Sequence, residues 1–204
     1  MSFWKRNLVP LTALALGSLV LAAAIVLVLV PPPGRPGVIT SGVAAIGGPF
    51  RLTSQTGTPV TEADLKGKPF AVFFGFTHCP DVCPTALFDI SSLLKDLGPA
   101  GDRMQVLFVS VDPARDTPEL LRTYLESFDP RITALTGTEE EVQAMAKAYR
   151  AFYRKVPTGG GNYTVEHTAT VYLMGRSGEF VTTLDAHENR EAKLAKLKRL
   201  VAAS

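Results

Sequence analysis

Cysteine and histidine are scarce: the 204-residue chain has two of the first and three of the second. One dithiol at most means that no framework of disulfides holds the fold together, and with 46% hydrophobic residues a core of ordinary size does not need one. Acidic residues are absent from positions 1–30, and charge of either sign is absent from positions 8–30. Lys5 and Arg6 account for the formal excess of +2, so the remainder is neutral, without a basic run or any interleaving of basic and aromatic residues. That pattern excludes a nucleic-acid surface, which needs clustered positive charge to displace counterions. Internal repeats are absent as well, and one globular domain is the expectation.

The uncharged run "LVPLTALALGSLVLAAAIVLVLV" at 8–30 is long enough, at ~1.5 Å per helical residue, to cross a ~30 Å hydrocarbon core. A cleaved signal peptide has a shorter apolar region of ~7 to 15 residues ending at small residues. Here six further apolar residues follow Ala24, and we read an uncleaved anchor. Lys5 and Arg6 precede the run and only Arg35 stands just after it, so the positive-inside bias puts the N-terminus in the cytoplasm. The short leader has no room for an amphipathic transit sequence, which points to a bacterial inner membrane with the remaining chain in the periplasm. The expected division is a cytoplasmic segment 1–7, a transmembrane helix 8–30, a Pro/Gly linker 31–45 containing "PPPGRPG", and a folded domain 46–204.

Within that domain, "FRLTSQTGTPV" reads as two short strands around a glycine turn, and the continuous apolar run "PFAVFFGF" as a strand buried on both faces. Leu87, Ile90, Leu93, Leu94 and Leu97 recur at helical spacing, with Pro84 at the first helical position and Gly98 at the stop. "MQVLFVSV" is a second buried strand, "TPELLRTYLESF" a helix, "RITALTG" a strand, and "TEEEVQAMAKAY" a helix opened by a capping box of Thr138 and Glu141. "TGGGNY" reads as a loop, "TVEHTATVYLM" and "EFVTTL" as a hairpin around "GRSG", and "NREAKLAKLKRLVAA" as a closing helix. The alternation predicts an α/β fold with helices flanking a central mixed sheet.

Both cysteines fall at the carboxyl end of the first buried strand, in "FGFTHCPDVCP", where ligands gather in open sheets of this kind. Pro80 and Pro84 stiffen the segment, and Pro84 steers Cys83 away from helical geometry, so both thiols are expected in a loop before the helix. A disulfide between Cys79 and Cys83 would close so short a loop that it removes little unfolded-chain entropy, which favours a functional pair over a staple. Thiol-disulfide exchange ordinarily uses C-x-x-C, one residue tighter than the C-x-x-x-C here. Two thiolates are soft ligands that suit Cu(I) above all and Zn(II) as well, and either ion wants a third donor. His78 is poorly placed to share an ion with its neighbour, since adjacent residues leaving a strand point apart, and His187 sits in the polar "DAHENRE". His167 opens "HTATVYLM", a buried strand expected beside the cysteine strand, and spacing alone does not separate a ligand from a core histidine bonded to backbone.

Three motifs in this order behind one N-terminal anchor, "FGFTHCPDVCP", "VSVDPARDTPE" and "VEHTATVYLM", closely resemble the Sco/SenC family of copper-binding cytochrome c oxidase assembly factors, over roughly 46–202. The resemblance implies a thioredoxin-like fold with copper held as Cu(I) by Cys79, Cys83 and His167, and it leaves binding of Cu(II) open. It implies service to the binuclear copper site of cytochrome c oxidase subunit II, by delivering copper or by acting as a thiol-disulfide reductase on that site's cysteines. Another periplasmic copper carrier or thiol reductase would be a further partner. Glu166 stands where the family usually has Asp, and Asp81, Asp112 and Asp116, in or beside the motifs, are read either as shaping the surroundings of the site or a docking face or, equally, as helix caps and turn formers, and not as ligands. A peroxide-reducing enzyme on the same fold is disfavoured, because no activating arginine adjoins Cys79 in the sequence.

Overall fold

The computed structural model describes residues 46–203, and the expected anchor, linker and cytoplasmic segment lie outside them. Among the described residues no helix is long and apolar enough to cross a membrane.

The chain opens with a hairpin of β1 (Arg51–Ser54) and β2 (Pro59–Thr61), then runs into β3 (Phe70–Gly75). Helix α1 (Val82–Leu97) leads to β4 (Gln105–Ser110), α2 (Pro118–Leu125) to β5 (Ile132–Thr136), and α3 (Glu139–Ala148) to a second hairpin, β6 (Tyr153–Gly159) and β7 (Asn162–His167). A third hairpin, β8 (Val171–Met174) and β9 (Phe180–Leu184), precedes the closing helix α4 (Arg190–Ala202).

Seven strands form one sheet in the order β2-β1-β5-β4-β3-β8-β9, while β6 and β7 pair only with each other. β3, β4 and β5 run parallel, and β8 lies antiparallel to β3 with Phe73 opposite Val171. Every residue of β3 is buried, as its unbroken apolar composition demands of a central strand covered on both faces. This mixed sheet flanked by helices is a thioredoxin-like fold, and its central strand ends at the cysteine segment.

The helix starts follow the expected capping chemistry in α2, α3 and α4. Thr117 accepts from Leu120 N–H ahead of Pro118, and Asn189 accepts from Ala192 N–H at 2.8 Å. Thr138 and Glu141 form the reciprocal capping box.

Three expectations need correction. Helix α1 begins at Val82, not at Pro84, so Cys83 is helical and lies in the first turn rather than in the preceding loop. Proline is tolerated there because the first-turn N–H groups have no intrahelical acceptor, and the carbonyl its ring would meet, that of Pro80, lies outside the helix. "TGGGNY" is no open loop but the tip of the β6–β7 hairpin, where Gly159, Gly160 and Gly161 all take positive φ. Finally, "TVEHTATVYLM" is two strands in two sheets, so that His167 ends β7 instead of opening β8.

Candidate metal centre

The site is assembled from three segments. After β3 the chain leaves the sheet at Phe76, whose carbonyl accepts from Cys79 N–H at 3.3 Å, and enters α1 two residues beyond Pro80. Asp81, the residue before the first helical one, makes no side-chain cap. The sulfur of Cys79 does that work for one orphan donor: Cys83 N–H donates to Cys79 Sγ at 3.3 Å. The helix start therefore fixes one sulfur over its amide while the buried Cys83 turns its own sulfur into the core. A Cβ on Gly75 would lie 2.8 Å from Cys83 Sγ and 2.7 Å from Phe108 Cε2, so the absence of a side chain in β3 makes the space that this sulfur fills.

The third segment is β7. His167 Nδ1 lies 3.1 Å from the carbonyl oxygen of Thr168, and since a carbonyl only accepts, Nδ1 carries the proton. Nε2 is left with its lone pair directed at Cys83 Sγ, 3.2 Å away. Phe76 meets the imidazole edge-on at 5.8 Å between centroids and Phe73 at 6.1 Å, fixing the ring plane. The ligating atoms of Cys79, Cys83 and His167 all lie within 4.8 Å of one another, and they are the one such grouping among the described residues.

The other two histidines stand apart. His78 is exposed and turns to Thr77 Oγ1 at 3.0 Å, with Asp116 Oδ1 at 3.8 Å. His187 is exposed in the turn before α4. Glu166, next to His167, points to the opposite face of the hairpin and pairs with Arg154 at 2.6 Å.

Two fully buried aspartates in "DPARDTP" bind the segments together. Asp116 accepts from Ser110 Oγ at 2.5 Å, Thr77 Oγ1 at 2.6 Å and Thr77 N at 3.0 Å, tying the cysteine segment to the end of β4. Asp112 accepts from the Tyr163 hydroxyl at 2.7 Å and from Arg115 Nε, tying the hairpin to the same loop. Asp81 remains exposed, its carboxylate accepting from Thr85 Oγ1 at 3.3 Å. Sequence reasoning singled out the aspartates but missed Thr77, Arg115 and Tyr163, whose partners lie 39 to 51 residues away. It also missed Tyr124, whose hydroxyl is buried without a partner among the described residues. Burial raises that phenol's pKa, and the negative charge of Cys79 and Asp116 adds to the effect.

The two thiols are driven apart electrostatically. Cys79 is held well below the usual thiol range, mainly because the Cys83 thiol donates to it, with the N–H groups of Asp81 and Cys83 adding and burial opposing. Cys83 is pushed far up by the bond it gives Cys79 and by burial. In reduced, metal-free protein Cys79 is therefore expected to alkylate at a nearly flat rate from about pH 5 to about pH 8, where an ordinary thiol would speed up roughly tenfold per unit. Mass-spectrometric mapping checks this: Cys83 should lag by at least about tenfold, and equal labelling of the two would contradict the charge assignment.

Such a site can hold one soft ion on two sulfurs and one nitrogen. Cys79 is the only one of the two sulfurs that reaches the surface, so exchange with an incoming ligand proceeds from its side. Zn(II) would find three ligands and an open fourth position, but the sulfur-rich, three-donor set suits Cu(I) better.

A sequence profile described as SCO1/SenC matches residues 39–202. The human protein named "Protein SCO1 homolog, mitochondrial" is 43% identical over 150 residues, which are 69% of this chain and 48% of that protein. "Protein SenC" of Rhodobacter capsulatus is 42% identical over 134 residues, 66% of this chain and 61% of the other. Among solved structures, Bradyrhizobium japonicum ScoI with copper bound shares 50% identity and a TM-score of 0.72, covering 76% of this chain and 99% of that one. The chain spans about half the length of the first curated relatives it matches.

Proposed function

Since this chain belongs to the SCO1/SenC family, we propose that it is a metallochaperone that carries copper on Cys79, Cys83 and His167 and serves the binuclear copper site of cytochrome c oxidase subunit II. The observation that carries the reading is the convergence of two thiol sulfurs and one imidazole Nε2 within 4.8 Å, on segments far apart in sequence. Copper is cargo here. Cys83 and His167 grip it from the buried side, and a thiolate of the receiving protein enters beside Cys79, bonds to the ion, and releases this chain's ligands in turn. The solved ScoI relative with copper bound supports the choice of metal.

The uncharged run at 8–30, with Lys5 and Arg6 before it, supports an inner-membrane anchor that holds the domain in the periplasm of a bacterium. Placement beside the membrane suits a protein that loads a membrane-bound oxidase.

A second reading has its own observation. A partly exposed Cys79 with depressed pKa beside a buried, protonated Cys83 is the pairing a thiol-disulfide reductase uses, attacking with the first and resolving with the second. Anaerobic Cu(I) titration of the full chain separates the two. The chaperone reading expects saturation at one Cu(I) per chain and no turnover of a protein disulfide without copper. Turnover of a disulfide substrate by the metal-free chain, with no stoichiometric copper uptake, would replace it with the reductase.

A further inference from the structure

The imidazole depends on a hairpin that the main sheet does not support. β6 and β7 hydrogen-bond only to each other in the sheet pattern, and an isolated two-stranded hairpin is marginal in water. Most of β6 is exposed and Val165 is the one buried residue of the pair. Tyr163, Val165 and His167 alternate along β7 and so share its inner face, which makes the strand a short lever with the imidazole at one end and the phenol at the other.

The phenol end is fastened by one arginine. Arg115 Nη1 donates to the Tyr163 carbonyl at 3.1 Å, and its guanidinium carbon sits 3.9 Å from the centre of the Tyr163 ring. Arg115 Nε donates to Asp112, whose second oxygen accepts from the Tyr163 hydroxyl. The guanidinium carbon also lies 5.9 Å from the centre of the Phe76 ring, and Phe76 in turn meets the imidazole edge-on. Arg115 Nη2 is buried with no acceptor among the described residues, so the hold at that corner comes from the two aromatic faces. Tyrosine, guanidinium, phenylalanine and imidazole thus form one continuous line of contacts from the "DPARDTP" loop to the metal ligand.

We propose that Arg115 is a positioning residue for His167: with Asp112 and Tyr163 it latches the β6–β7 hairpin to the carboxyl end of the sheet and sets the reach of the imidazole to the two sulfurs. The inference rests on the copper-carrier reading for its significance, but the latch itself is a property of the metal-free protein. Other contacts keep the hairpin attached when the latch is lost, among them the burial of Val165, the packing of Tyr153 against the core and the exposed pair of Lys155 with Glu139. The expected consequence is a mobile imidazole on a folded domain.

The test is a double-mutant cycle on the full chain, read by competition for Cu(I) with a chromophoric chelator. Arg115→Met should weaken binding about tenfold or more, within the range that outer supports of metal ligands typically command. In a His167→Ala background the same change should cost less than about twofold, because the latch acts through the imidazole. Tyr163→Phe, which keeps the ring and loses the hydroxyl, should show a smaller loss of the same kind. In the metal-free protein, amide exchange across 162–167 should rise by about tenfold with Arg115→Met while β3 and β4 keep their protection. An equal loss of affinity in both backgrounds, or wild-type exchange in the hairpin, overturns the latch. Should Arg115→Met unfold because Asp112 is left buried without its cation, the Asp112→Asn, Arg115→Met pair is measured by the same criteria. Absence of copper uptake by the wild-type chain would defeat the carrier reading and leave the exchange result to decide the latch.

Discussion

Asp116→Ala is expected to lower the free energy of unfolding by about 3 kcal/mol and to weaken copper binding as well. Asp116 has no exposed surface and accepts three hydrogen bonds, from Ser110 Oγ, Thr77 Oγ1 and Thr77 N. Alanine leaves all three donors in a site closed to solvent, at a cost of about 1–3 kcal/mol for each donor that stays unsatisfied. The sum overstates the loss, since the deleted carboxylate leaves room for water and the three bonds share one acceptor. Removing the desolvated charge returns part of the cost too. Copper affinity follows because Thr77 stands two residues before Cys79, and its backbone is held to the sheet through this carboxylate. Asp116→Asn, which keeps one acceptor, should fall between alanine and wild type. Urea unfolding with and without copper checks both effects. A change in stability below about 1 kcal/mol, the scale of a surface substitution, would mean that the carboxylate does not organise the site.

The second large effect concerns the ligands, and the two classes should separate. Cys83→Ser replaces a soft thiolate with a hydroxyl that Cu(I) does not favour, leaving one sulfur and one imidazole. Affinity should drop by a factor on the order of a thousand or more, enough to abolish stoichiometric uptake at micromolar protein. His167→Ala leaves both sulfurs, which still suit Cu(I), and should weaken binding by roughly tenfold to a hundredfold. The ordering follows from the geometry, since Cys79 and Cys83 share one helix start while His167 arrives on a separate hairpin. Chelator competition on the three chains checks it. Equal affinities for wild type and His167→Ala would remove the imidazole from the site.

Much of the frame was legible in the sequence because burial on two faces leaves a plain signature. "PFAVFFGF" and "MQVLFVSV" became the paired central strands β3 and β4, and the capping box at Thr138 marked the start of α3. β6 was not legible. Its sequence "YRKVPTG" carries a proline and wet residues on both faces, so a hairpin lying outside the layered core shows no alternation to detect. The break between β7 and β8 was hidden for a different reason: "TVEHTATVYLM" is rich in β-branched residues on both sides of the break and holds no Gly or Pro, so nothing local announces that His167 and Val171 belong to different sheets.

The site was half legible. Both thiols stood out by position and spacing, yet the reading placed Cys83 in a loop when the first turn of α1 contains it. That difference matters chemically, because the helical amide of Cys83 is what holds the Cys79 sulfur in place. The imidazole partner lies 84 residues from Cys83, and no spacing rule reaches across that distance; resemblance to a family supplied it. Arg115 and Tyr163 illustrate the remaining gap. Each is an ordinary residue in its own segment, and only the folded chain brings the guanidinium onto the phenol ring.

X-ray absorption at the copper edge on the full chain loaded with one equivalent of Cu(I) tests the central claim most directly. Two sulfur neighbours and one imidazole nitrogen per copper are expected, with the imidazole scattering lost in His167→Ala. A wild-type spectrum lacking imidazole, or one left unchanged by that substitution, would contradict the assignment of Cys79, Cys83 and His167 as the copper site.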